Sequence, residues 1–219
     1  MHAERYVTAP SLAGKARSWI AEAGGSGPGP DPGRCALLVV DVQRFFAHPS
    51  GASYLPASQA VIPRILSLLE GFRSRGLPVA FTRHCHRAGE EEGAMLRFWG
   101  SVIGCDDPDS ALLAGLSPGG REPVFRKTTY DAFMGTGLER WLRQTDCSQM
   151  LAAGFLTHLC VESTVRGAFS RDFQPMVAVD ATATVSESMH VCSLRAMAHG
   201  FARLLEVDGA LEMLSERSG

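Results

Sequence analysis

The run Cys35-Ala-Leu-Leu-Val-Val40, closed sharply by Asp41, constrains this chain more than any other feature. Apolar residues without polar alternation read as a strand covered on both faces, the mark of a parallel sheet. Parallel strands need crossover connections, and the sequence that follows supplies them. Helix-like spacing is read at about 59–75, 137–143, 160–171 and 186–200. Strand-like segments are read at 77–82, 123–126, 150–155, 176–179 and 202–207. This alternation predicts an α/β domain: a doubly wound, mainly parallel sheet of about six strands with helices on both faces. At 219 residues the chain is long enough for such a domain to stand without staples. Ligands of open parallel sheets bind beyond the carboxyl ends of the strands, so chemistry is sought there.

Ahead of the first strand, Leu12, Ala16, Ile20 and Ala23 share a face of a helix expected over 11–23. Gly, Pro, Ser and Asp dominate 24–33, which divides the chain into an N-terminal helix and linker (1–33) and a main body (34–219). The 21 basic residues are balanced by 23 acidic ones, leaving no field to hold nucleic acid or an anionic membrane, so small molecules are the expected partners. No apolar run approaches the ~20 residues of a membrane span, and the N-terminus lacks a leader's apolar core. The expected location is the cytoplasm. None of the six cysteines (35, 85, 105, 147, 160, 192) forms a C-x-x-C pair, so free thiols are expected.

Three polar residues stand at expected strand ends. Asp41 follows the first strand, where a carboxylate serves either as a base or as a cap of the next segment. Lys127 is one of only two lysines against 19 arginines. A compact ammonium suits a place beside a nucleophile, although a surface lysine left by chance is the plainer reading. Cys160 follows the strand-like segment and Gly154 in Leu151-Ala-Ala-Gly-Phe-Leu-Thr-His-Leu-Cys160-Val-Glu-Ser-Thr-Val-Arg166. In the first turn of a helix the unpaired N–H groups favour thiolate; without such neighbours a cysteine is a small buried hydrophobe.

Taken in order and spacing, Leu37-Leu-Val-Val-Asp41-Val-Gln43, Arg126-Lys127-Thr-Thr-Tyr130-Asp-Ala-Phe133-Met-Gly-Thr136 and Gly154-Phe-Leu-Thr157-His-Leu-Cys160-Val-Glu-Ser-Thr164-Val-Arg166 resemble the isochorismatase-like cysteine hydrolases. The resemblance extends over most of 34–207. It implies a catalytic triad of Asp41, Lys127 and Cys160, and a cis peptide at Phe155-Leu156 that aims the backbone N–H of Leu156, with that of Cys160, at one point as an oxyanion hole. The implied reaction is cleavage of a C–N bond in a small amide or carbamoyl-type substrate through a thioester, without a cofactor, by a homo-oligomer (dimer or tetramer). Phe46, Trp99, Tyr130, Phe133 and His158 are the candidate substrate-binding residues.

Other readings accompany this one. Isochorismatases of the family protonate a vinyl ether from the aspartate and carry glycine where this chain has Cys160; His158 matches their histidine. A fold relative without activity would keep Cys160 as a redox-sensitive thiol. Nicotinamidases of the family bind a metal through an aspartate and histidines; here His84 stands at the aspartate's place, His86 matches one histidine and a further one is missing. Two imidazoles are not a site, so no metal is expected and both are read as solvent-facing. The segment 83–118 is long for a loop, with Met95, Leu96, Phe98, Trp99 and Ile103 suggesting a short amphipathic helix. Glu90 to Glu92 read as a solvated face.

Overall fold

Six strands form one sheet in the computed structural model, which describes residues 3–25, 27–91 and 93–215. Its order is β3-β2-β1-β4-β5-β6, and every pairing is parallel. The strands are β1 (Cys35–Val40), β2 (Val79–His84), β3 (Val124–Lys127), β4 (Gln149–Phe155), β5 (Gln174–Ala183) and β6 (Arg203–Leu205). Every residue of β1 and β4 is buried, as only a sheet covered on both faces allows. The helices are α1 (Ala9–Ala23), α2 (Arg44–Ala47), α3 (Ser58–Ser74), α4 (Gly93–Trp99), α5 (Leu138–Gln144), α6 (Glu162–Phe169), α7 (Glu187–Gly200) and α8 (Val207–Met213).

The chain starts in the middle of the sheet, builds outward through β2 and β3, and then returns to add β4 beside β1. The winding therefore reverses between β1 and β4, and a crevice opens beyond their carboxyl ends. Close contact of these two strands depends on Gly154 (φ +118°). A Cβ there would come within 2.1 Å of the Val40 carbonyl oxygen.

Most expected elements form with their ends shifted by a few residues. The strand expected at 176–179 extends over ten residues because its polar interior is satisfied: the buried Asp180 pairs with Arg64 Nε of α3 at 2.8 Å. Its other oxygen accepts the Val207 N–H at 2.9 Å, capping α8. That bond ends β6 early and starts a helix where 202–207 reads as strand. α1 begins at Ala9, with Thr8 N–H donating to Ser11 Oγ at 3.0 Å and Pro10 in its first turn. It packs against α7, α3 and β5.

Cys85 and Cys105 form a disulfide, which corrects the expectation of free thiols throughout. The 20-residue separation hides their proximity. Backbone pairing supplies it: His86 N–H donates to the Ile103 carbonyl and Cys105 N–H to the His86 carbonyl, leaving the two Cα atoms 4.9 Å apart. Cys35, Cys147 and Cys160 are buried thiols and Cys192 is an exposed one. Among the described residues no helix is long and apolar enough to cross a membrane.

Candidate active site

Asp41 leaves β1 in the left-handed region (φ +48°), a conformation its short polar side chain tolerates. The parallel register that sets Val39 beside Phe81 brings the neighbouring Thr82 alongside. Thr82 Oγ1 accepts the Asp41 N–H at 3.1 Å and donates to Asp41 Oδ1 at 2.6 Å. The second oxygen faces Lys127, whose Nζ lies 2.6 Å from Oδ2. Lys127 stands at the end of β3, two strands away, and its length brings the ammonium back across β2. There Nζ donates to the Thr129 carbonyl at 3.0 Å and to Cys160 Sγ at 3.1 Å.

Cys160 comes to this point from β4. The Phe155–Leu156 peptide is cis, at the position expected from the sequence. Beyond it, Thr157–Val161 form one π-helical turn closed by Val161 N–H on the Leu156 carbonyl at 3.1 Å. α6 begins only at Glu162, so Cys160 lies in the turn before the helix rather than in its first turn. The side chains of Asp41, Lys127 and Cys160, distant in sequence, thus meet at the switch point of the sheet with residue exposures of 0%, 2% and 5%.

Burial sets the charge state of the three. Burial, opposed by the Lys127 ammonium and reinforced by the charge and hydrogen bonding of Asp41, leaves the Cys160 thiol pushed up to about 12. The thiolate expected from a helix N-terminus is therefore overruled by desolvation, and the resting sulfur carries its proton. Burial also opposes ionisation of Asp41, yet Lys127, with His84 and Thr82, holds its carboxyl below the usual carboxylate range. Lys127 is held above the usual ammonium value, Asp41 and Cys160 outweighing its burial. The resting site is a buried carboxylate–ammonium pair beside a neutral thiol.

Gln43, missed in the sequence, pins this geometry. Its Nε2 donates to the carbonyls of His84 (3.0 Å) and Ser110 (2.8 Å), and its Oε1 accepts the His84 N–H at 2.9 Å. An amide answering three backbone groups holds the ends of β1 and β2 and the long 83–118 segment together. The signal available was only its place two residues after Asp41.

The candidate binding residues divide. Trp99 Nε1 donates to Tyr130 Oη at 2.6 Å, linking α4 to the loop that follows Lys127, with both residues partly exposed. Phe46 is half-buried against the core. Phe133 is buried in the core and stacked on Phe173 at 5.9 Å. His158 is half-buried and bonds through Nδ1 to Thr184 Oγ1. α4 forms where a short amphipathic helix is expected, but none of its described residues is buried. Glu90 is paired bidentately with Arg126, so that part of the acidic run is not simply solvated.

His84 and His86 are buried rather than solvent-facing, their rings 5.6 Å apart. His84 Nδ1 and both ring nitrogens of His86 have no partner among the described residues. Burial, with Lys127, lowers His84 to about 4, so its ring is neutral. No group of three His, Cys, Asp or Glu able to hold an ion is present among the described residues. Glu90, the acid close in sequence, is already taken by Arg126. The donor set does not fit the nicotinamidase-type metal, and no step below passes through one.

A groove of about 540 Å³ lies at the opposite end of the sheet, lined by the linker, the amino end of β5 and the end of α7. It brings together no nucleophile, acid and base, so the chemistry assigns the site to the carboxyl ends of the strands.

Residues 35–209 match the family described as the isochorismatase domain. Nicotinamidase 3 of Arabidopsis thaliana is 33% identical over 177 residues, covering 79% of this chain and 85% of that protein. Enterobactin synthase component B of Escherichia coli (strain K12) is 28% identical over 83% of this chain, which spans 64% of that protein. Among solved structures, a cysteine hydrolase from Pseudomonas syringae pv. phaseolicola 1448A superposes with a TM-score of 0.84 at 25% identity, covering 88% of this chain and 97% of that one.

Proposed function

The chain belongs to the isochorismatase-like hydrolase family, and from that premise we propose that it cleaves a C–N bond of a small amide or carbamoyl-type substrate through a thioester on Cys160. The observation that carries this reading is the single ammonium of Lys127 between Asp41 Oδ2 (2.6 Å) and Cys160 Sγ (3.1 Å) in a water-excluding site. A buried ion pair against a buried thiol costs desolvation, and a fold has no structural need of it there.

Asp41 is ionised and the thiol protonated, so proton transfer is uphill until the sulfur attacks. Asp41 takes the thiol proton as the C–S bond forms, and Lys127 holds the negative charge between them. The carbonyl oxygen, now an alkoxide, is received by the backbone N–H groups of Leu156 and Cys160. The tetrahedral centre collapses, the C–N bond breaks, and ammonia or an amine leaves with the proton from Asp41. Water, deprotonated by the same carboxylate, then hydrolyses the thioester to an acid and restores the thiol. These steps call on no group beyond the chain and water. The reading keeps Trp99 and Tyr130 as substrate-binding residues, and nicotinamide is the first substrate to try, given the relative named a nicotinamidase. The reading includes a homo-oligomer, supported by the exposed Leu96, Phe98 and Trp99 of α4.

The test is ammonia release from a panel of small primary amides and carbamoyl compounds. The wild type should turn over at least one of them, and Cys160→Ala should lower its rate by at least ~10³-fold. Cleavage of a vinyl ether alone, undiminished in Cys160→Ala and lost in Asp41→Asn, would replace this reading with the isochorismatase one.

A further inference from the structure

Beneath the turn that carries Cys160 lies an imidazole for which the chemistry above has no use. His190 of α7 is completely buried, with Nδ1 2.9 Å from Thr157 Oγ1 and Nε2 unpartnered among the described residues. Burial drives its pKa down to about 3, so it is a neutral hydrogen-bonding group. Its cover comes from the far end of the chain. The Trp19 ring of α1 meets it edge-on at 4.5 Å and the Tyr6 ring lies 5.8 Å away. Trp19 is itself anchored, Nε1 donating to Glu187 Oε1 at 2.9 Å.

A second connection runs from the same arm to the next residue of the turn. Tyr6 Oη accepts the Thr184 N–H at 3.1 Å, and Thr184 Oγ1 bonds to His158 Nδ1. Thr157 and His158 open the π-helical turn that presents Cys160, and each is held by a contact that leads back to residues before the Gly/Pro linker. Those residues lie outside the 35–209 match.

We infer that His190, with Tyr6 and Trp19 of the N-terminal arm, are positioning residues for the nucleophile: they fix Thr157 and His158, and through them the place of the Cys160 sulfur and backbone N–H. The inference rests on reading Cys160 as the nucleophile. The 1–33 segment is then part of the catalytic apparatus, reaching the site through the back of the turn. A displacement of the sulfur by about 1 Å is enough to cost ~10²-fold in rate with substrate binding intact.

The test uses the full-length protein and an amide that the wild type hydrolyses, with Cys160→Ala as reference. An asparagine amide reaches the place of an imidazole Nδ1, whereas a glutamine amide reaches that of Nε2. His190→Gln should therefore lower kcat by ~10–100-fold with KM within about twofold, and His190→Asn should recover to within about threefold of wild type. Tyr6→Phe removes one hydroxyl and leaves the buried Thr184 N–H without its acceptor; assayed well below its thermal midpoint, it should lower kcat about threefold or more with KM within about twofold. Equal losses in His190→Asn and His190→Gln would reduce His190 to packing and overturn the inference, as would wild-type kcat in both His190→Gln and Tyr6→Phe. If His190→Gln fails to fold, Tyr6→Phe alone decides. Wild-type activity undiminished in Cys160→Ala would instead overturn the nucleophile reading and this inference with it.

Discussion

Asp41 and Lys127 act on the same sulfur with opposite sign, and that opposition separates their roles. Lys127 lowers the Cys160 pKa, while Asp41 raises it by charge and by hydrogen bonding. In Asp41→Asn the ammonium is left unopposed, so Cys160 should alkylate faster than wild type near neutral pH although turnover is lost. Lys127→Met should alkylate more slowly. Lowering a thiol pKa multiplies its thiolate fraction by more than the accompanying loss of nucleophilicity takes back, so a net gain in alkylation rate is expected. Mass spectrometry with a small neutral alkylating agent across pH measures it; slower alkylation in Asp41→Asn would show that the pull of Asp41 on the thiol proton outweighs its opposing charge, and would contradict this separation of roles. The three residues stood out in the sequence because each follows a strand-like segment and because, in order and spacing, the three segments resemble one family's pattern. The charge state did not, because a helix N-terminus is visible in a sequence and the desolvation that overrides it is not. Gln43, Thr82 and His190 were hidden for a related reason: their partners are backbone groups or side chains of other elements.

At the scale of elements, the 83–118 segment is more constrained than its length suggests. The Cys85–Cys105 disulfide closes a loop carrying α4, and Arg83 reaches the Ser110 carbonyl at 2.9 Å and the Cys105 carbonyl at 2.7 Å. The 20-residue separation gives about 3 kcal/mol of stabilisation in the chain-entropy account. Reduction by a dithiol should lower the urea midpoint of the wild type accordingly, and the Cys85→Ala/Cys105→Ala double variant should ignore the reductant. An identical midpoint for reduced and oxidised wild type would contradict it. Element type was read well where periodicity was uninterrupted, as in β1 and α3. It failed where a buried polar group is satisfied from afar: Asp180 both lengthens β5 and, by capping Val207, turns the end of an expected strand into α8.

Across the whole molecule, a parallel sheet was foreseeable because its central strands have no polar face. The order β3-β2-β1-β4-β5-β6 was not readable from periodicity, yet it explains why residues 41, 127 and 160 converge, since the reversal between β1 and β4 puts the first and last of them on adjacent strands. The N-terminal arm read as a separate helix and linker; its packing on α7 places it behind the turn that carries Cys160. We propose that these distant pieces assemble to make a covalent acyl-enzyme. The most direct measurement is the intact mass of protein quenched with acid during turnover of an amide substrate. An adduct of the acyl group's mass is expected, mapped to Cys160, absent in Cys160→Ala and discharged by hydroxylamine as the hydroxamate. Turnover that proceeds with no adduct, and at the same rate in Cys160→Ala, would contradict it.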